Sequence, residues 1–136
     1  MSARYLLDTN VISDFVRGER RVLAKVKASR PDVLAVSTVT VMEIEYGLAL
    51  QAARARRLRP VLEALIGNMA VLPFTSADAT AAAHARAALR RRGRPIGAYD
   101  VLLAGCALSR GLVVVTANTD EFARVDGLVV EDWRER

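Results

Sequence analysis

The feature that most constrains this chain is an alternation of two periods. Short apolar runs at residues 5–7, 34–36, 70–72, 112–115 and 128–130 are separated by stretches whose apolar positions recur every three to four residues. Runs this short fit strands, and the uninterrupted run at 112–115 fits one buried on both faces. Strands separated by helices need crossover connections, which are right-handed and cover both sides of one sheet. The expected fold class is therefore α/β, built on a central parallel sheet.

The helical stretches carry their own start and stop signals. Gly18 closes a first helix running through Val11 and Val16, and Val22, Leu23 and Val26 mark a second before Pro31 and Asp32. Ser37 and Thr38 are placed to cap a third, with Val41, Ile44 and Leu48 at helical spacing and Glu43 in its first turns. Residues 51–69 read as another helix, in which Pro60 marks a kink or a fresh start. An alanine-rich helix capped by Ser76 or Asp78 ends at Arg90, Arg91, Arg92 and Gly93. After Pro95 and Gly97, a helix over 98–109 carries Asp100 in its first turn and stops at Gly111, and residues 131–136 read as a polar tail.

Composition narrows the function classes. A chain of 136 residues fits one domain, and no apolar stretch approaches the roughly 20 residues of a membrane helix. The start of the sequence lacks the basic leader and apolar stretch of a secretory signal, so cytoplasm is the expected compartment. Aromatic content of 5% argues against stacking platforms for single-stranded bases. Cys106 and His84 are single, so neither a disulfide nor a His/Cys zinc site can form, and any metal must rest on carboxylates. Cys106 reads as a small core residue and His84 as helix surface. The net charge of +5 favours an anionic partner, and because Lys25 and Lys27 are the only lysines, 18 of the 20 cations are Arg. No glycine-rich phosphate loop occurs, which removes the usual support for ATP or dinucleotide chemistry.

Ligands of open α/β sheets bind beyond the carboxyl ends of the strands. Four acidic places fall there: Asp8 after the first strand, Glu43 in the helix after the second, Asp100 opening the helix before the fourth, and Asp120 with Glu121 after Thr116 and Asn118. Each alone is explained by helix capping or the helix dipole. Asp8 and Asp100 stand out because both interrupt apolar surroundings. Gathered together, such carboxylates repel unless a hard divalent cation, Mg²⁺ or Mn²⁺, neutralises them. Glu45 falls on another side of its helix and reads as solvated, whereas Thr40 shares the face of Glu43.

The strings Leu7-Asp8-Thr9-Asn10, Thr40-Val41-Met42-Glu43 with Tyr46-Gly47, Ala98-Tyr99-Asp100, and Thr116-Ala117-Asn118-Thr119-Asp120-Glu121-Phe122 occur in that order. On these motifs the chain resembles the PIN-domain ribonucleases, specifically the VapC-type toxins, over nearly its whole length. The resemblance implies a single PIN domain over residues 1–136, a three-layer α/β/α sandwich, and Mg²⁺-dependent endoribonuclease activity in which Mn²⁺ can substitute. It also implies an RNA substrate, a VapB-type antitoxin as inhibitor, and a homodimer or a hetero-oligomer with that antitoxin. Carried onto these motifs, the catalytic residues are Asp8, Glu43, Asp100 and Asp120, with the metal on Asp8, Asp100 and Glu43. Thr9, Asn10, Thr40, Thr116 and Asn118 are the expected hydrogen-bonding support. The family often has Asp where this chain has Asn118, so the last position is open among Asn118, Asp120 and Glu121. Asp120 is expected to swing in and Glu121 to orient the turn. The Arg clusters at 54–59 and 90–94 read first as solvated faces, as charge runs usually are, with an RNA backbone or antitoxin carboxylates as the alternatives.

Two rival readings are a phosphoacceptor signalling domain and a non-catalytic interaction module. The first wants a lysine near the acids, which Lys25 and Lys27 do not supply, and the Asp-x-Asp pattern is absent after the first strand.

Overall fold

The computed structural model describes residues 2–134. Strands β1 (Tyr5–Leu7), β2 (Leu34–Ser37), β3 (Ala70–Leu72), β4 (Val113–Val115) and β5 (Val129–Glu131) form one sheet in the order β3-β2-β1-β4-β5. All neighbouring pairs are parallel, with Leu6 opposite Ala35 on one side and Val114 on the other. The expected α/β class is what the chain adopts. Between and beyond the strands lie α1 (Thr9–Arg17), α2 (Arg20–Ala28), α3 (Thr38–Leu50), α4 (Ala52–Ile66), α5 (Ser76–Arg91), α6 (Ala98–Arg110) and the one-turn α7 (Thr119–Phe122).

Alternation along each strand sends successive side chains to opposite faces and so creates two cores. Leu6, Ala35 and Val114 face α5 and α6. Leu7, Val36 and Val115 face the layer of α1 to α4, where Val11, Ile12, Val22, Leu48 and Leu62 complete the packing. The first strand is central, and the chain turns to opposite sides of it at β2 and β4. That reversal opens a crevice at the carboxyl ends of β1 and β4, where open α/β sheets place their ligands.

Three local expectations change. Helix α4 runs through Pro60 without ending; the amide lost there belongs to an exposed turn, where water can serve the freed carbonyl. Helix α5 is capped by Thr75 rather than by Ser76 or Asp78, because the Thr75 side chain accepts from the Asp78 amide while the Asp78 side chain accepts from Thr75 in a capping box. The segment read as a polar tail is partly structural: Glu131 ends β5, and buried Trp133 packs edge-on to Tyr5 with ring centroids 5.2 Å apart. Residues 135 and 136 of that segment lie outside the described residues.

The α5–α6 seam is the most extensive contact between helices among the described residues. Gly105 lies so close to α5 that a side-chain carbon built there would stand 2.6 Å from both Ala82 Cβ and the Asp78 carbonyl oxygen. Across the seam Asp78 accepts from the Ser109 hydroxyl and, at 3.1 Å, from Arg110 Nη2. Burial pushes the Asp78 carboxyl up, but the bonds from Ser109, the Thr75 amide and Arg110 outweigh it and hold the group below its ordinary range. Cys106 is fully buried at the same seam.

Candidate active site

Asp8 is built in by the end of β1. Its backbone turns out of the strand, its Oδ1 caps α1 by accepting from the Thr9 amide at 2.7 Å, and its side chain is buried beside the β4 terminus. Oδ2 accepts from the Thr116 hydroxyl at 2.8 Å and from Asn10 Nδ2 at 3.0 Å. Asn10 is itself fixed, because its Oδ1 accepts from the Ala117 amide at 2.9 Å. Burial raises the Asp8 carboxyl above its usual range against the lowering effect of Thr116, the Thr9 amide and Asn10. The carboxylate is thus locked in one orientation with little solvent to share its charge.

Asp100 enters from the first turn of α6. A side-chain carbon at Gly97 would lie 3.0 Å from Asp100 Oδ2, so the absence of a side chain there leaves the carboxylate its place. Its pKa is pushed up to about 6, first by burial, then by the charge of Asp8, by a hydrogen bond to Glu121 that only a protonated carboxyl can make, and by the charges of Glu121 and Glu43. Four acids from four separate elements therefore act on one another. Glu43, on α3, is oriented by the Thr9 hydroxyl, which donates to its Oε1 at 2.9 Å. A cavity of about 210 Å³ opens beside it, with Thr9, Ser13, Gly47 and Arg54 on its wall.

The last acidic position differs from expectation. Asp120 is exposed and takes no part in the hydrogen bonds of the other acids. Asn118 Nδ2 instead donates to Glu121 Oε2 and, at 3.4 Å, to Asp100 Oδ2. The Asn118 amide donates to Thr116 Oγ1 at 2.9 Å, which anchors this turn to the Asp8 network. The reason is local: α7 begins at Thr119, and its single turn carries Glu121 back over Asn118 while Asp120 faces outward. The three-residue spacing of Asn118 and Glu121 fits one helical turn, but where that turn begins is not written in the sequence.

Thr9, Asn10, Thr116 and Asn118 all support the acids as expected. Thr40 does not: its hydroxyl is fully buried and finds no hydrogen-bond partner among the described residues, Glu43 being served by Thr9 instead. Glu45 faces outward and pairs with Arg59 at 2.9 Å.

The donor set is entirely oxygen, which suits a hard divalent cation. Among the described residues no three acidic, histidine or cysteine side chains close a cage around one point. Mg²⁺ needs no such cage, since it keeps several waters and rests on one or two carboxylates plus substrate phosphate. Burial first and then the charges of Asp8, Glu121 and Glu43 raise Asp100, and a bound cation would relieve that repulsion, so these residues fit one.

A PIN domain family model matches residues 5–128. The tRNA(fMet)-specific endonuclease VapC of Shigella flexneri is 38% identical over 130 residues, covering 96% of this chain and 98% of that protein. Among solved structures, the DNA-bound VapBC of Salmonella typhimurium matches with a TM-score of 0.88 and 36% identity, covering 96% of this chain and 98% of that one. FitAcB from Neisseria gonorrhoeae matches with a TM-score of 0.84 and 29% identity, covering 97% and 99%.

Proposed function

The chain belongs to the PIN-domain family, with VapC ribonucleases as full-length relatives, and on that premise we propose that it is a divalent-metal-dependent endoribonuclease toxin restrained by a VapB-type antitoxin. The observation that carries this reading is the convergence of Asp8, Glu43 and Glu121 on Asp100 at the crevice between β1 and β4. We read the whole chain as one PIN domain working in the cytoplasm; among the described residues no helix is long and apolar enough to cross a membrane.

Asp8 and Asp100 would hold the cation, Glu43 would assist directly or through water, and Glu121 takes the fourth acidic place in preference to Asp120. Mg²⁺ is the expected ion and Mn²⁺ a substitute. When bound, such a cation lowers the pKa of a coordinated water and screens the charge that builds on the attacked phosphate. The protein's own part is orientation: Thr116, Asn10 and the Thr9 amide fix Asp8, the Thr9 hydroxyl fixes Glu43, and Asn118 ties Glu121 to Asp100. The expected products carry 5′-phosphate and 3′-hydroxyl ends.

VapBC assemblies among the similar structures support an antitoxin partner. An outer stripe of α3, with Met42, Tyr46 and Leu50 exposed at four-residue spacing, supports the homodimer. The test is RNA cleavage by purified protein with Mg²⁺, with chelator, and by the Asp8→Asn, Asp100→Asn double variant. Cleavage that requires the ion and both acids supports the reading. Undiminished cleavage by chelated protein or by the double variant, free of contaminating nuclease, refutes it.

A further inference from the structure

A cavity of about 610 Å³ lies between α5 and α6 and shares no lining residue with the acidic site described above. Its walls are apolar, formed by Phe74, Leu89, Ile96, Val101 and Leu102 among others, and Arg86 and Arg90 line it from α5. Most neighbouring arginines are engaged: Arg92 with Asp126, Arg110 with Asp78, and Arg124 with the Pro95 carbonyl oxygen. The guanidinium groups of Arg86 and Arg90 form no ion pair or hydrogen bond with any described residue. They stand one helical turn apart on α5, where like charges repel. Two uncompensated guanidinium groups over an apolar hollow describe a receptor for an anion with an apolar body.

The position of the cavity narrows the ligand further. Pro95, Ile96 and Ala98 line it, while a side-chain carbon built on Gly97 between them would meet the Asp100 carboxylate at 3.0 Å. The segment 95–98 thus borders both the hollow and Asp100. We infer that this cavity is a nucleotide subsite for the RNA strand: its apolar walls take the base of a nucleotide flanking the cleaved bond, and Arg86 and Arg90 grip that nucleotide's phosphate. The inference rests on the RNA-cleavage reading and deepens it. Arginine forks suit phosphate oxygens, and the volume lies within the range of about 300–1,000 Å³ common for small-ligand pockets. The second arginine cluster of the sequence thereby divides: Arg92 braces the turn after α5, whereas Arg90 faces the ligand.

The test uses the full chain and a labelled single-stranded RNA that it cleaves, with binding measured in chelator and cleavage in divalent cation. The Arg86→Ala, Arg90→Ala variant should bind about tenfold more weakly, and its log-log salt slope should fall by about 0.7 for one lost phosphate contact. Both effects should be largely restored by Arg86→Lys, Arg90→Lys. A Lys25→Ala, Lys27→Ala control removes equal charge from the exposed face of α2, outside both arginine clusters, and should change binding less than about twofold. Ala83→Phe fills the cavity with both arginines retained. It should erase the affinity difference between the RNA and the same RNA with one abasic nucleotide beside the cleaved bond, a difference the parent should show. Parental binding by both the arginine variant and Ala83→Phe overturns the subsite. So does loss of self-association or antitoxin binding with RNA affinity intact, which would assign the cavity to a protein partner. If the parent neither binds nor cleaves RNA, the broader reading fails and the subsite with it; if the parent does both, failure of the variants to differ removes the subsite alone.

Discussion

Replacing Asp100 with Asn should stabilise the metal-free protein and at the same time abolish stabilisation by a divalent cation. The Asp100 carboxyl rises from 3.8 to about 6, chiefly through burial and then through Asp8, Glu121 and Glu43. A shift of roughly two pH units corresponds to about 3 kcal/mol at 1.36 kcal/mol per unit. The side chain is only half-buried, so solvent screening reduces the effect to on the order of 1 kcal/mol. Because the folded pKa lies above the unfolded one, stability linked to this proton is complete below about pH 4 and is lost as the pH rises through about 6. At about pH 8 with chelator, Asp100→Asn should therefore melt a few degrees above the parent, and near pH 4 the two should coincide. Cation at about 100 times its dissociation constant should stabilise the parent by about 2.7 kcal/mol and leave the variant unmoved. Thermal unfolding followed by circular dichroism at both pH values, with and without Mg²⁺, reads all of this. A variant less stable than the parent in chelator at about pH 8, or one stabilised equally by the cation, would refute the claim that Asp100 is a strained member of a cation site.

Four further outcomes follow from particular positions. Glu121→Gln should weaken Mn²⁺ binding and RNA cleavage by about tenfold or more, whereas exposed Asp120→Asn should match the parent in both; titration with Mn²⁺ and cleavage rates decide between them. Gly105→Ala should destabilise by about 1–3 kcal/mol, because a methyl group 2.6 Å from Ala82 Cβ overrides a helix-propensity gain of about 1 kcal/mol. Gly47→Ala has open space in the interior of α3 and should gain about 0.5–1 kcal/mol, with urea unfolding as the measurement. Asp78→Ala should destabilise by about 3 kcal/mol at neutral pH, since it removes the buried carboxylate that pairs with Arg110 and leaves that guanidinium and Ser109 only the carbonyls of Pro73 and Cys106. The lowered Asp78 pKa means this difference from the parent should shrink as the pH falls below about 4.

How much of this was legible in the sequence depends on the range of the interaction involved. The strands and helices follow from apolar periodicity, a record of local burial that the chain carries in its own order. Asp8 was readable for the same reason: a charge directly after the apolar run at 5–7 has to emerge at a strand end. Asp100 stood out as the acid opening a long apolar helix. The choice of Glu121 over Asp120 was not readable, because it depends on where a one-turn helix begins and on Asn118 reaching across to an acid from another helix. Likewise Thr40 and Glu43 share a helix face, yet Thr9, 34 positions away in the chain, serves Glu43. The burial of Trp133 needed Tyr5 on the opposite end of the chain, and the Arg86–Arg90 hollow needed α5, α6 and the turn between them to pack. Periodicity and capping are set within a few residues, so the sequence determines which elements form; the strand order β3-β2-β1-β4-β5 brings distant elements together, and only that packing decides which acids meet, how they are oriented and what lies beside them.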